Sequence, residues 1–92
     1  SVLKTADGKL AKLYNTKAYF NLRHEDGELL VNRGICDIID EAGGEVVYKW
    51  SQGDTYKDGI AYGEFELVYG DGNVETFPNT TNIKVIIFPE VN

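Results

Sequence analysis

The sequence predicts an all-β protein, a single domain built as an antiparallel β-sandwich. Glycine-containing turn dipeptides divide the chain into pieces of strand length, and Asp-Gly pairs suit the positive-φ positions of tight hairpin turns. Within the longer pieces, apolar and polar residues alternate with the period of two that marks a half-buried strand. No convincing helical pattern is present in the 92 residues.

The predicted strands follow one another with turn signals between them. Segment 61–69 should pair with 73–77 across the Asp71-Gly72 turn, and Pro78 should end the second strand because proline has no N–H to donate. The predicted strands are 17–23, 28–32, 35–40, 45–50, 61–69, 73–77 and 82–88. The turn dipeptides are Asp7-Gly8, Asp26-Gly27, Gly43-Gly44, Asp58-Gly59 and Asp71-Gly72.

The start of the chain differs from the rest in charge. Residues 1–17 carry four lysines and one acidic residue, a net charge of +3, whereas the remainder carries −9. Apolar residues within 10–16 have the spacing of a helix, but this segment is too short to form a helix that is stable alone. We therefore expect residues 1–16 to form an N-terminal arm or an edge strand beside a sandwich domain of residues 17–92.

A basic arm of this kind would lie on an acidic neighbour, such as another copy of the chain. The alternative is an ordinary solvated surface. Under the first interpretation the arm supplies candidate partner contacts. They are Lys4, Lys9, Lys12, Leu13 and Tyr14.

The last predicted strand, 82–88, is apolar on both faces. Its odd-numbered residues suit the core, whereas Ile86 and Phe88 belong to the opposite face. A domain of this size has one core, so Ile86 and Phe88 need a separate cover. That cover is the N-terminal segment, a second copy or a different protein. Ile86 and Phe88 therefore join the candidate partner contacts.

Composition and charge argue against several classes of function. The net charge of −6 disfavours a general nucleic-acid binder, which needs a basic face to displace counterions. No apolar stretch approaches the roughly 18 residues of a membrane span. Cys36 is the only cysteine and is predicted as a buried thiol, so no disulfide can form within the chain. We expect no metal and no cofactor.

No set of side chains in the sequence predicts catalysis. His24 is the only histidine and lies in a turn, where neighbouring side chains diverge, so we expect it to be solvated. A binding function of another class stays open, because exposed aromatic rings can form a surface on which sugars stack. The tyrosines expected to be exposed are Tyr19, Tyr56 and Tyr62.

Several stretches resemble a known family. They are the EDG turn, VVYKW, GEFELVYGDGNVETFPN and the closing apolar strand, and DGNVETFPN is the most distinctive. They resemble the N-terminal domain of phage baseplate upper proteins over roughly residues 17–88. The resemblance implies an immunoglobulin-like β-sandwich of a tailed-phage virion, and no catalytic residues come with it.

From the residues and the resemblance together we expect a non-enzymatic structural protein located in a virion. It would dock onto the major capsid protein or onto tail or baseplate proteins, and form a homo-oligomer in the particle, without nucleic acid or membrane as a partner. Capsid decoration as a cement protein is the first expectation, because a free-standing sandwich with a basic arm suits that role. A tail or baseplate component and a carbohydrate-binding module for host adhesion are the alternatives.

Overall fold

The computed structural model describes residues 1–4, 8–77 and 83–89, and within them every regular element is a β-strand. From Ala18 to His24 in β1 and from Ala61 to Leu67 in β5, every second residue is buried, as the alternation in the sequence predicts. The prediction of an all-β, sandwich-like fold is confirmed. The strands are β1 (Thr16–His24), β2 (Leu29–Ile35), β3 (Asp37–Asp40), β4 (Glu45–Val47), β5 (Gly59–Tyr69), β6 (Val74–Phe77) and β7 (Ile83–Ile87).

The larger sheet is antiparallel and has β1 and β5 at its centre. Its order is β2, β1, β5 and β6, and β7 also pairs with β5. β6 lies opposite residues 65–68 of β5, and β7 lies opposite residues 59–63, so the two follow one another along the same edge. β6 is described as far as Phe77, and the strand end predicted at Pro78 lies outside the described residues. Residues 78–82, and Asp7 of the first predicted turn, lie outside the described residues.

A second, smaller sheet consists of the β3–β4 hairpin and the first residues of the chain. Val2 forms an antiparallel bridge with Glu45, and the Leu3 N–H donates to the Gly44 carbonyl at 2.8 Å. Gly44 has a φ of 69°, and a Cβ there would lie 2.8 Å from the Leu3 carbonyl oxygen, so no side chain fits. Residues 1–4 thus lie along the edge of the smaller sheet, next to β4.

The core lies between the two sheets. The β1–β5 register places Phe20 opposite Phe65, and their ring centroids are 5.1 Å apart. Burying a side chain of this size contributes roughly 1.5–3 kcal/mol. The buried apolar residues are Leu3, Ala11, Leu13, Ala18, Phe20, Leu22, Val31, Cys36, Val46, Ala61, Phe65, Leu67, Phe77 and Ile87.

The burial of Leu13 corrects one expectation drawn from the sequence. We predicted a partner contact, but this side chain is 1% exposed and lies in the core with Leu3 and Ala11. The Leu13 N–H donates to the Glu41 carbonyl at 2.9 Å, which holds this backbone over the sandwich. Tyr14, the next residue, is exposed, and its role as a partner contact stays a prediction. The exposed lysines of this segment are Lys4, Lys9 and Lys12.

Leu13→Ala is expected to lower the free energy of unfolding by about 2–5 kcal/mol, because it removes buried methyl groups and leaves a cavity. Leu10→Ala is the matched control, since Leu10 is in the same segment but is 43% exposed. It should cost less than about 1 kcal/mol. Denaturant unfolding followed by circular dichroism measures both, and equal losses would contradict the burial of Leu13.

Candidate docking surface

An open groove lies between β7 and the segment 50–58, and we call it the docking groove. Its volume is about 790 Å³. One wall is β7 with the following residues Phe88 and Pro89, and the other wall includes Trp50 and Tyr56. β7 pairs with β5 on its other side, so its groove-facing edge has no strand partner among the described residues.

Four large apolar side chains of the docking groove face solvent. Trp50 is 51% exposed, Tyr56 68%, Ile86 55% and Phe88 78%. Strand alternation explains the exposure of Ile86, because its neighbour Ile87 turns to the core. Contiguous exposed apolar groups of this kind mark interaction sites. The exposure of Ile86 and Phe88 agrees with the sequence-based expectation, and their contact with a partner stays a prediction.

Packed aromatic rings support the wall that carries Trp50. The rings of Phe20 and Tyr48 stack with centroids 4.9 Å apart, and Trp50 meets the Phe20 ring edge-on at 5.7 Å. The Tyr48 hydroxyl donates to the Asp54 carboxylate at 2.6 Å, and the Ser51 N–H donates to the same carboxylate at 2.7 Å. These contacts anchor the start of the segment 50–58 on the core.

The end of the same segment is bound to the turn between β1 and β2. His24 is 7% exposed, and its Nε2 lies 2.8 Å from the Asp58 carbonyl oxygen. The Glu25 N–H donates to the Ile60 carbonyl at 2.8 Å, and the Glu25 carboxylate accepts the Ile60 N–H at 2.7 Å. We predicted a solvated His24, and this is wrong because His24 continues the inward-facing alternation of β1.

Charged and polar side chains next to His24 extend this attachment. Lys57 donates to the Asp26 carboxylate, and its Nζ also lies 3.5 Å from Glu28 Oε1. The Tyr56 hydroxyl donates to the Glu28 carboxylate. The turn between β1 and β2 therefore holds two successive residues of the segment 50–58: Tyr56, which lines the groove, and Lys57.

These contacts change the pKa values of the groups involved. The hydrogen bond from Lys57, followed by that from the Glu28 N–H, lowers the pKa of Asp26 to about 2. The same contact with Asp26 raises the pKa of Lys57. The pKa of His24 is also raised, chiefly by its hydrogen bond to the Asp58 carbonyl and then by the nearby Asp26 carboxylate, which together outweigh burial. The charged forms of these groups thus stabilise the attachment.

Asp26→Asn is expected to lower the thermal unfolding midpoint at neutral pH and to have no effect in strong acid. A carboxyl pKa lowered to about 2 in the folded protein stabilises it fully above the unfolded value of about 3.9. That contribution disappears as the pH falls through about 2. Lys57→Met should reproduce the loss at neutral pH. Thermal scans from pH 7 downward measure the effect, and a loss that persisted below pH 2 would contradict it.

His24→Gln should show the opposite dependence on pH. A raised folded-state pKa makes the contribution of His24 complete below the unfolded value of about 6.5. The contribution is lost as the pH rises through the folded value. The difference in unfolding midpoint from wild type should therefore be larger near pH 5.5 than near pH 8.5. A difference that grew with pH would rule out this role of His24.

The structure separates the predicted partner contacts into two groups. Ile86 and Phe88 line the docking groove. The N-terminal group does not line it, and Lys12 Nζ instead lies 3.4 Å from the Ala42 carbonyl oxygen, beside the smaller sheet. The members of the N-terminal group are Lys4, Lys9, Lys12, Leu13 and Tyr14.

The three tyrosines predicted for a sugar-binding surface do not come together. The Arg33 guanidinium covers the Tyr19 ring, with its carbon 4.3 Å from the ring centroid. Tyr56 lines the docking groove, whereas Tyr62 lies opposite Arg23 in the larger sheet.

Sequence reasoning missed Trp50, which it placed in a strand that in fact ends at Val47. No local signal marks the end at Val47, because Tyr48 and Trp50 continue the alternation that begins at Val46.

Cys36 is buried, as predicted, and does not contribute to the docking groove. Burial, together with the nearby Asp37 carboxylate, raises the pKa of its thiol to about 11. The thiol is therefore protonated at neutral pH, and a protonated thiol is a poor nucleophile.

No protein-family model, no curated protein and no solved structure matches this chain. The residues that the structure describes contain no group of three or more His, Cys, Asp or Glu placed to hold a metal ion. Within the same residues, no helix has the length and apolar character needed to span a membrane. The docking groove is thus the feature from which we infer a function.

Proposed function

We propose that this chain is a non-enzymatic structural protein of a tailed-phage virion, and that it docks onto other virion proteins. The role that we propose first is capsid decoration, as a cement protein. The alternative is a component of the tail or baseplate. The resemblance of roughly residues 17–88 to the N-terminal domain of phage baseplate upper proteins supports the virion setting. The partners are the major capsid protein or tail and baseplate proteins, and several copies act in one particle.

The single observation that carries the docking role is the exposure of Trp50, Tyr56, Ile86 and Phe88 in one groove. Burying a large apolar side chain contributes roughly 1.5–3 kcal/mol. A partner that covered all four would therefore gain several kcal/mol toward the cost of association. Because both ends of the segment 50–58 are anchored, little of that gain is lost in ordering the wall.

Two titratable groups beside the groove, His24 and Asp26, also support binding over catalysis. His24 is 7% exposed, and its Nε2 is engaged by the Asp58 carbonyl. Asp26 is engaged by Lys57. A general base must reach a substrate proton within hydrogen-bond distance, whereas these groups hold the groove wall in place.

A carbohydrate-binding module is the second candidate function, and it is favoured by the exposed rings of Trp50 and Tyr56 in the groove. Aromatic side chains combine a large apolar face with a polar edge, which suits stacking against a sugar ring. The candidate sugar site therefore lies at these two residues and not at the three tyrosines predicted from the sequence.

Phe88→Asp is expected to leave the fold intact, because Phe88 is 78% exposed. It should lower incorporation into virions by at least about tenfold, because a charge would replace the apolar contact proposed with the partner. Ile35→Asp is the matched control, since Ile35 is 80% exposed and lies in β2, at the opposite edge of the larger sheet. Circular dichroism checks the fold of both variants. Quantitative mass spectrometry of purified virions measures incorporation, and immunogold labelling locates the protein on head or tail.

Each result decides one part of the proposal. Absence of the wild-type protein from purified virions would overturn the virion role. Equal incorporation of Phe88→Asp and Ile35→Asp would overturn docking through the groove. Glycan binding by the isolated protein that Trp50→Ala abolished, without any loss of incorporation on Phe88→Asp, would replace docking by adhesion.

A further inference from the structure

The two outer edges of the larger sheet differ in regularity. β2 pairs with β1 through a register that contains two shifts, and Arg33 within β2 has a φ of 53°. Irregularities of this kind turn an edge away from further pairing. β7 instead pairs with β5 through five consecutive residue pairs without a shift. The docking groove lies beside this regular edge, where another strand can continue the sheet.

No strand among the described residues pairs with the outer edge of β7. Alternate residues of a strand direct their N–H and C=O groups to opposite sides, so half of those in β7 point away from β5. No backbone hydrogen bond among the described residues joins β7 to the segment 50–58. An added strand would satisfy these groups. Its side chains would lie alternately beside Ile87 on one face and beside Ile86 on the other.

The charges in and around the groove indicate which charged side chains the added strand carries. Asp58 is exposed and is the charged residue in the described lining of the groove, whereas Lys84, the exposed cation of β7, lies outside that lining. Its neighbour Lys57 is turned to Asp26 and Glu28, so the Asp58 carboxylate has no ion pair with a described residue. The chain as a whole has a net charge of −6. A basic partner is therefore attracted both at the groove and at long range, and an acidic partner is repelled.

The geometry points to β-strand addition at the docking groove. An extended segment of a partner protein pairs with β7, packs apolar side chains against Ile86 and Trp50, and directs a Lys or Arg to Asp58. This inference rests on the proposed docking function and specifies the form of the partner. In such complexes backbone hydrogen bonds supply affinity, and side chains at alternate positions supply specificity.

The arriving strand belongs to a different protein and not to a second copy of this chain. The lysine-rich segment of a second copy is its N-terminus, and residues 1–4 are already paired. The Ser1 amino group donates to the Val46 carbonyl at 2.7 Å, and the Val46 N–H donates to the Ser1 carbonyl at 2.9 Å. Releasing this segment would expose Leu3, a core residue, at a cost of roughly 1.5–3 kcal/mol.

The test uses the full chain, isotopically labelled for amide NMR, and two synthetic peptides as probes. Each peptide has about ten residues of alternating valine and threonine, and the two differ only in a central lysine or glutamate. The lysine peptide should shift the amide resonances of β7 and of residues 50–58. It should bind about two- to fivefold more tightly than the glutamate peptide, as expected for an exposed charge pair. With Asp58→Asn, this preference should shrink to the small part that the remaining net negative charge of the chain supplies.

Three results would overturn strand addition by a basic partner: shifts at β2 in place of β7, equal binding of both peptides to wild type, or dimerisation without peptide that shifts the β7 resonances. The last result would assign the edge to a second copy.

The peptide-binding test and the virion-incorporation test can fail independently of each other. Charge-selective peptide binding at β7 by a protein absent from virions would uphold strand addition and reject the virion role. Loss of incorporation on Phe88→Asp with no peptide binding would reject strand addition and uphold docking.

Discussion

The nine-residue pairing of β1 with β5 is the constraint on which the rest of the structure depends. Its register places Phe20 opposite Phe65 and Leu22 opposite Gly63. A Cβ at Gly63 would lie 2.7 Å from the Phe20 ring, so this glycine provides the space that the ring occupies. The Phe20 ring in turn supports Tyr48, on which the groove wall is built. A contact at the centre of the larger sheet thus determines the shape of a surface at its edge.

The segment 50–58 is attached by apolar contacts at its start and by charged and polar contacts at its end. Stacking on Phe20 does not depend on protonation, whereas the attachment through His24 and Asp26 does. The Asp26 contribution is complete above about pH 4, and the His24 contribution is complete below about pH 6.5. Both are therefore complete together between these two values, and outside them the aromatic contacts still hold the wall.

The N-terminal segment explains why the docking groove stays open. It was one of three covers considered for Ile86 and Phe88, but residues 1–4 lie beside β4, and Leu3 is part of the core. The chain uses this segment to complete the smaller sheet, so it does not cover the outward face of β7. Ile86 and Phe88 therefore remain available to another molecule, and the edge beside them is the regular edge of the larger sheet.

The sequence by itself determined the strands, most of the turns between them and the two apolar faces of β7, because alternation and turn chemistry are local properties. It thereby located Ile86 and Phe88, one wall of the docking groove. Only the tertiary structure decided that Leu13 and His24 are buried and that Trp50 forms the other wall. Burial depends on which distant segment covers a side chain, and neither the spacing nor the type of these residues specifies that segment.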